Sequence, residues 1–328
     1  MPTKEQKRVL ITGAAGQIGT ELTIALRERM GNENVIGMGH RTKASKELEE
    51  GPFIYGNIND LESYEKIVDE YKIDTVYHLA AILSATGEKN PQLCYDVNLN
   101  GLYNILEVAR KRNQRLFCPS SIAVFGVEKE TREKYGDERL PSQKVVLKPT
   151  TMYGVTKVAG ELLCDYYYRK YSLDVRGIRY PGLISWKTEP GGGTTDYAVA
   201  IYYEAIKNKK YECFVRANTR LPMMYMSDAI KGTLDLMDAP LENLNHHSDY
   251  NLTAMSFTAA ELAESIASKI DGFECTYAPD ERQEIADSWP DSIDDSAARE
   301  DWNWEPAYDL ERMTEEMLAN LEIKLKGA

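Results

Sequence analysis

The chain has no long apolar run, no excess of cations and few histidines. No stretch of about 18 apolar residues occurs, so the sequence offers no membrane-spanning helix. Lys and Arg number 39 against 52 Asp and Glu, a formal net charge of −13. Nucleic-acid binding requires clustered cations to neutralise phosphates, so no nucleic-acid partner is expected. The acidic excess is spread along the chain and reads as solvated surface. The five cysteines (Cys94, Cys118, Cys164, Cys213, Cys275) form no CxxC pair, and the four histidines (His40, His78, His246, His247) show no HExxH spacing. Neither a disulfide framework nor a metal site is expected. There is no internal repeat and no low-complexity linker. Residues 1–8 are a short polar lead, expected to be neither signal nor transit peptide. A cytoplasmic location is the default expectation. What the chain does have is length and apolar content: 328 residues, 43% hydrophobic, enough for one large α/β domain or one with a smaller lobe.

Strand and helix signals alternate from residue 8 to about 179, the pattern of a parallel sheet. Strands are expected at 9–11, 34–38, 52–55, 74–79, 115–118 and 174–179. Helices are expected from about 18, and over 61–71, 91–112 and 151–171. The last carries Val155, Val158, Leu162 and Tyr166 on one side. Residues 128–148 read as a long polar excursion. From Pro181 the rhythm changes, and residues 189–195 form a loop rich in glycine and threonine.

The first strand runs directly into Gly13-x-x-Gly16-x-x-Gly19, and a helical period opens with Ile18, Leu22 and Leu26. Strand, glycine turn, helix is the context in which this spacing cradles a dinucleotide. Gly13 allows the tight turn, Gly16 admits a pyrophosphate to the backbone, and Gly19 lets helix and strand close. The helix N-terminus then offers free N–H groups and partial positive charge. The plainer alternative is an ordinary glycine-rich loop between strand and helix.

Tyr153 and Lys157 stand at i and i+4, on one helix face. A phenol titrates near pH ~10, and a neighbouring ammonium favours its ionised form. Such a pair is a sensible proton acceptor near neutral pH, although with 21 tyrosines the spacing also arises by chance. Strand five ends in Pro119-Ser120-Ser121, where open α/β sheets bind ligands. Ser121 there is suited to hold a substrate oxygen, while turn formation is the alternative role for both serines.

Taken together, the glycine turn, His78-Leu-Ala-Ala81, Asn98, Ser120-Ser121 and Tyr153-x-x-x-Lys157 resemble the extended branch of the short-chain dehydrogenase/reductases, over nearly the whole chain. Residues 81–84 with 87–88, 183–197, 221–226 and 285–291 are similar to the L-threonine 3-dehydrogenases related to sugar-nucleotide epimerases. The resemblance implies a Rossmann-type doubly wound parallel sheet (residues 1–180) with a smaller C-terminal substrate lobe (181–328). It implies NAD as cofactor, L-threonine as small-molecule substrate, and a homodimer built on helices 91–112 and 151–171. Gly13, Gly16, Gln17, Ile18 and Gly19 would hold the pyrophosphate, and Leu79, Ala80 and Ala81 would line the adenosine side. Asn98 would help position the active-site helix. Tyr153 would be the base, Lys157 its electrostatic partner and ribose ligand, and Ser120 and Ser121 the strand-end hydroxyls. Tyr180 and Pro181 would flank the nicotinamide. Ser84, Gly193, Thr194 and Thr195 would touch the amino acid, whose carboxylate needs N–H or O–H donors. Trp289 is read as core or interface rather than pocket wall.

Two positions depart from the pattern. The end of strand two, where an acidic residue normally binds the ribose diol, reads Gly39-His40-Arg41. After strand three, Asn57, followed by Ile58, stands where relatives tend to carry Asp. Arg41 is a candidate for a 2′-phosphate, so NAD is expected ahead of NADP without excluding it. Two competing readings are a sugar-nucleotide epimerase or dehydratase, with Arg216 and Arg220 on the diphosphate, and a non-enzymatic cofactor sensor.

Overall fold

A computed structural model describes residues 7–126, 143 and 145–326. Most of the polar excursion at 128–148 and of the lead at 1–8 lies outside them. Among the described residues nine strands precede residue 185: β1 (Val9–Thr12), β2 (Val35–Gly39), β3 (Phe53–Tyr55), β4 (Thr75–His78), β5 (Arg115–Phe117), β6 (Ser120–Ser121), β7 (Val175–Arg176), β8 (Ile178–Tyr180) and β9 (Gly182–Ile184). Six form a parallel sheet in the order β3-β2-β1-β4-β5-β7. Val9 of β1 stands beside Val35 on one side and Thr75 on the other. The chain reverses its direction of winding between β1 and β4, which opens the ligand crevice of such sheets at their carboxyl ends.

The sheet is covered on both faces, as its continuous apolar strands require. Side chains alternate across it. Leu10, Ile36, Val76 and Leu116 join a core with residues of the helices Leu61–Glu70, Gly101–Arg112 and Met152–Tyr171. Val9, Ile11, Tyr77 and Phe117 face the opposite way, onto Leu22 and Leu26 of the helix Gln17–Met30. Ile230 and Leu236 of the helix Met226–Asp238, with Trp302 and Trp304, complete that side. The later part of the chain thus contributes to the core of the first sheet.

The expected sixth strand divides at Gly177. The carbonyls of Cys118 and Ser248 lie 2.3 and 2.7 Å from where a Cβ would stand. Beyond it β8 leaves the main sheet and pairs in parallel with β6 and with residues Tyr250–Asn251. The expected helix at 91–112 also differs in detail. Pro91 starts it, and a π turn at Asp96–Asn100 interrupts it before Gly101–Arg112. Beyond Tyr197, a third core gathers Tyr197 and Tyr202 of the helix Tyr197–Asn208 with Leu262, Met313 and Met317. Among the described residues no helix is long and apolar enough to cross a membrane, and no three metal-binding side chains cluster.

Candidate active site

The glycine turn follows β1. Gly13 has φ +72°, and a Cβ there would stand 2.7 Å from the Ala80 amide nitrogen. A Cβ at Gly19 would stand 2.2 Å from the Gly13 carbonyl. These contacts fix the turn against residues 79–80 and draw the helix onto the strand. Gly16 is the N-cap of the helix Gln17–Met30, with no side-chain cap and no acidic residue in the first turn. The first helical amides are therefore left for an outside acceptor, so the cradle fits a dinucleotide pyrophosphate. Below it, the Thr12 hydroxyl and His78 Nδ1 are 2.8 Å apart. Burial, with a smaller contribution from Lys157, lowers the His78 pKa to about 3, so the imidazole is neutral.

The candidate reacting residues come from two elements. The Thr151 hydroxyl accepts from the Gly154 amide at 3.0 Å and caps the helix Met152–Tyr171. From its first two turns, Tyr153 and Lys157 face the end of β5. The Lys157 ammonium donates to the Pro119 carbonyl at 2.8 Å and lies 5.6 Å from the centre of the Tyr153 ring. Ser121 Oγ accepts from the Ala123 amide at 3.3 Å, which orients its hydroxyl in the first turn beyond the strand. One turn behind Lys157, Glu161 and Arg179 form a buried bidentate ion pair at 2.8 and 2.7 Å. The buried Ser120 hydroxyl lies beside this pair and helps hold the Glu161 carboxylate ionised.

Asn98 lies in the π turn. Its amide accepts from the Ile82 N–H at 2.7 Å, donates to the Ile82 carbonyl at 3.0 Å, and reaches the Thr156 hydroxyl at 3.3 Å. It clamps the strand-end loop to the helix that carries Tyr153. π turns place side chains where a regular helix would not.

The far wall is the loop at residues 191–195. Gly192 has φ +97°, and a Cβ there would stand 2.8 Å from the Thr86 hydroxyl. The Ser84 and Thr194 hydroxyls are 3.1 Å apart, joining the loop to the helix Ser84–Lys89. The Gly192 and Gly193 amides both donate to Asp196 Oδ2 at 2.8 Å. This corrects the expectation that the Gly193 amide is open to a substrate carboxylate, because the Asp196 carboxylate already occupies it. Asp196 is the functional candidate that sequence reasoning missed. The available signal was a carboxylate placed directly after Gly-Gly-Gly-Thr-Thr at the start of a helix.

One cavity of about 240 Å3 joins these three parts. The glycine turn with Gln17 and Ile18, together with Leu79 and Ala81, lines one end. Ser120, Ser121, Tyr153, Lys157, Tyr180 and Pro181 line the middle, and Ser84, Gly193, Thr194, Thr195 and Asp196 the far end. Trp289, read as core or interface, also lines it. Tyr180 contributes no free phenol, since its hydroxyl is bonded to that of Thr233 in the interior. Ala80 and Asn98 instead border a separate cavity of about 30 Å3 behind Lys157. Three expected cofactor residues lie outside both cavities. Arg41 is exposed just beyond β2. Asn57 accepts from the Asn59 amide at 3.0 Å, and Ile58 is buried in the core against Gly101.

This geometry agrees with the comparisons to known proteins. The profile of the NAD dependent epimerase/dehydratase family matches residues 9–253. An uncharacterized epimerase/dehydratase of Staphylococcus haemolyticus is 46% identical over 320 residues, 97% of this chain and 98% of the relative. Among solved structures, a monomeric L-threonine 3-dehydrogenase from a metagenome is 56% identical, with TM-score 0.91 over 96% of this chain and 99% of that one. The L-threonine dehydrogenase of Clostridium difficile is 47% identical, with TM-score 0.92 over 98% and 99%. With a glycine turn open to a pyrophosphate and a Tyr–Lys pair beside it, the chain belongs to the NAD-dependent epimerase/dehydratase family, in the extended short-chain dehydrogenase/reductase type that includes these threonine dehydrogenases.

Proposed function

We propose that the protein oxidises the 3-hydroxyl of L-threonine with NAD+, giving 2-amino-3-oxobutanoate and NADH. The observation that carries this reading is the single cavity that runs from the glycine turn, past Ser121, Tyr153 and Lys157, to a far wall of Ser84, Thr194 and Asp196. NAD+, when bound, supplies the hydride acceptor. Tyr153 takes the hydroxyl proton. Lys157, held by the Pro119 carbonyl, places a cation where the phenolate forms, and such preorganised charge counts for more where water is excluded. Ser121 donates to the oxygen that becomes a carbonyl. Gly13, Gly16, Gln17, Ile18 and Gly19 receive the pyrophosphate, and Leu79 and Ala81 the adenosine side.

The epimerase alternative needs cations for a nucleotide diphosphate. Arg216 is paired with Asp287, Arg220 with Glu261 at 2.8 Å, and neither lines the cavity. Incubation with NAD+ and L-threonine is expected to produce NADH absorbance at 340 nm. UDP-galactose under the same conditions is expected to yield no UDP-glucose. Sugar interconversion without threonine turnover reverses the assignment.

The same reading includes a homodimer in the cytoplasm. Leu93, Tyr95 and Tyr103 on one helical segment, and Val155, Leu162 and Tyr166 on the helix Met152–Tyr171, are large apolar residues left exposed. Large apolar side chains left exposed on helices in contact with one another suit an association surface. Multi-angle light scattering is expected to give twice the 37.2 kDa chain mass, and a single-chain mass rejects the dimer.

A further inference from the structure

We propose that Asp196 recognises the ammonium group of the substrate and so selects amino alcohols over other secondary alcohols. The inference rests on the threonine reading and assigns the half of the zwitterion that reading leaves without a partner. Of the side chains lining the cavity, Lys157 and Asp196 are the two that carry full charge. Lys157 stands at the cofactor end, bonded to the Pro119 carbonyl. At the far end the side chains that line the cavity with Asp196 are neutral: Ser84, Thr194, Thr195 and Trp289. Arg282 adds a weaker positive field from outside the cavity, and its guanidinium is already bonded to Asp280 at 3.0 Å.

The Asp196 carboxylate is also held for the task. Oδ2 accepts from the Gly192 and Gly193 amides at 2.8 Å each. The Gly191 amide adds a third backbone hydrogen bond to the carboxylate, which lines the far end of the cavity. Amides of Gly191, Gly192 and Gly193 fix the carboxylate without neutralising it, as in an anion-binding nest. Burial raises the pKa of this group, the loop amides opposing it, so an approaching cation relieves a real cost. An amino acid brings that cation. Its own carboxylate finds hydroxyl donors on Ser84 and Thr194. A sugar nucleotide brings a diphosphate instead, which Asp196 repels.

The test compares L-threonine with (R)-3-hydroxybutanoate, which is threonine without its amino group, using NAD+ and the full chain. Asp196→Asn keeps an oxygen for the glycine amides and removes the charge; a thermal melt checks that it folds. Losing one charge-assisted contact is expected to raise KM for threonine about ten- to a hundredfold, with kcat changed little. Turnover of 3-hydroxybutanoate, or its Ki against threonine where turnover is slow, is expected to stay constant. The preference for threonine therefore collapses by the same factor. A parallel loss on both compounds shows a loop latch only and overturns the assignment, as does an unchanged KM for threonine. If the unaltered protein binds NAD+ but oxidises neither compound, the dehydrogenase reading falls first and this one with it.

Discussion

At the scale of single residues, Tyr153 and His78 separate chemistry from stability. Tyr153→Phe removes one hydroxyl from a half-buried ring. It is expected to lower kcat with threonine by about 10²- to 10⁴-fold, the usual contribution of a positioned base, while calorimetry finds NAD+ binding unchanged. Residual turnover near the unaltered rate means another group takes the proton. His78 acts through linkage. Its pKa is about 6.5 unfolded and about 3 folded. Between those values the unfolded chain binds a proton that the folded protein refuses. The stabilising contribution is therefore complete above pH 6.5 and is lost as the pH falls toward 3, at about 1.4 kcal/mol per pH unit. Urea denaturation at pH 7 and pH 5 is expected to show His78→Asn losing about 2 kcal/mol less across that interval than the unaltered protein. Equal losses place the acid sensitivity elsewhere.

At the scale of elements, strand ends decide what was legible. Apolar runs and 3.6-residue periods give six expected strands and four expected helices in the first half; five of the strands and three of the helices appear close to the expected bounds, while the sixth strand divides and the helix at 91–112 is interrupted. The glycine turn was legible because its spacing and flanks are local. Three features were not: the division at Gly177, set by the carbonyls of Cys118 and Ser248; the π turn at Asn98; and the capture of two loop amides by Asp196. The first is decided by residues distant in sequence, and the other two by backbone geometry that composition does not specify. The end of β2 carries its own prediction. Gly39-His40-Arg41 offers no carboxylate to a ribose diol and nothing that repels a 2′-phosphate. A carboxylate there would accept from the diol of NAD+ and repel the phosphate of NADP+. His40→Asp is expected to raise the ratio of kcat/KM for NAD+ over NADP+ by about tenfold, the size of one such charge-assisted hydrogen bond. An unchanged ratio would show that this strand end lies beyond the reach of the ribose.

At the scale of the whole molecule, the buried Glu161–Arg179 pair joins the helix Met152–Tyr171 to β8, where the chain leaves the first sheet. Removing Glu161 leaves the buried Arg179 only the longer contact to Asp249, at 3.7 Å, in place of a bidentate partner. Glu161→Leu alone is expected to destabilise by about 3–5 kcal/mol in urea titrations, and Glu161→Leu with Arg179→Met by less than the single change. If the double variant is the less stable, the pair contributes net attraction rather than specificity. Ligand linkage tests the same assembly: NAD+ at a hundred times its Kd adds about 2.7 kcal/mol to unfolding, and the melting temperature should rise accordingly.

The π turn has a consequence for which changes in chain length the fold accepts. A regular helix advances each residue by about 100°, so one surplus residue at Asp96–Asn100 re-aims everything after it. Gly101, which lies against the Ile58 side chain, owes its facing to that surplus. Deleting a single position from this segment, without touching any group in the cavity, would turn Leu102, Ile105 and Val108 off the sheet. Length here is as much a constraint as identity, because an insertion or deletion between Pro91 and Arg112 rotates the face that packs on the sheet.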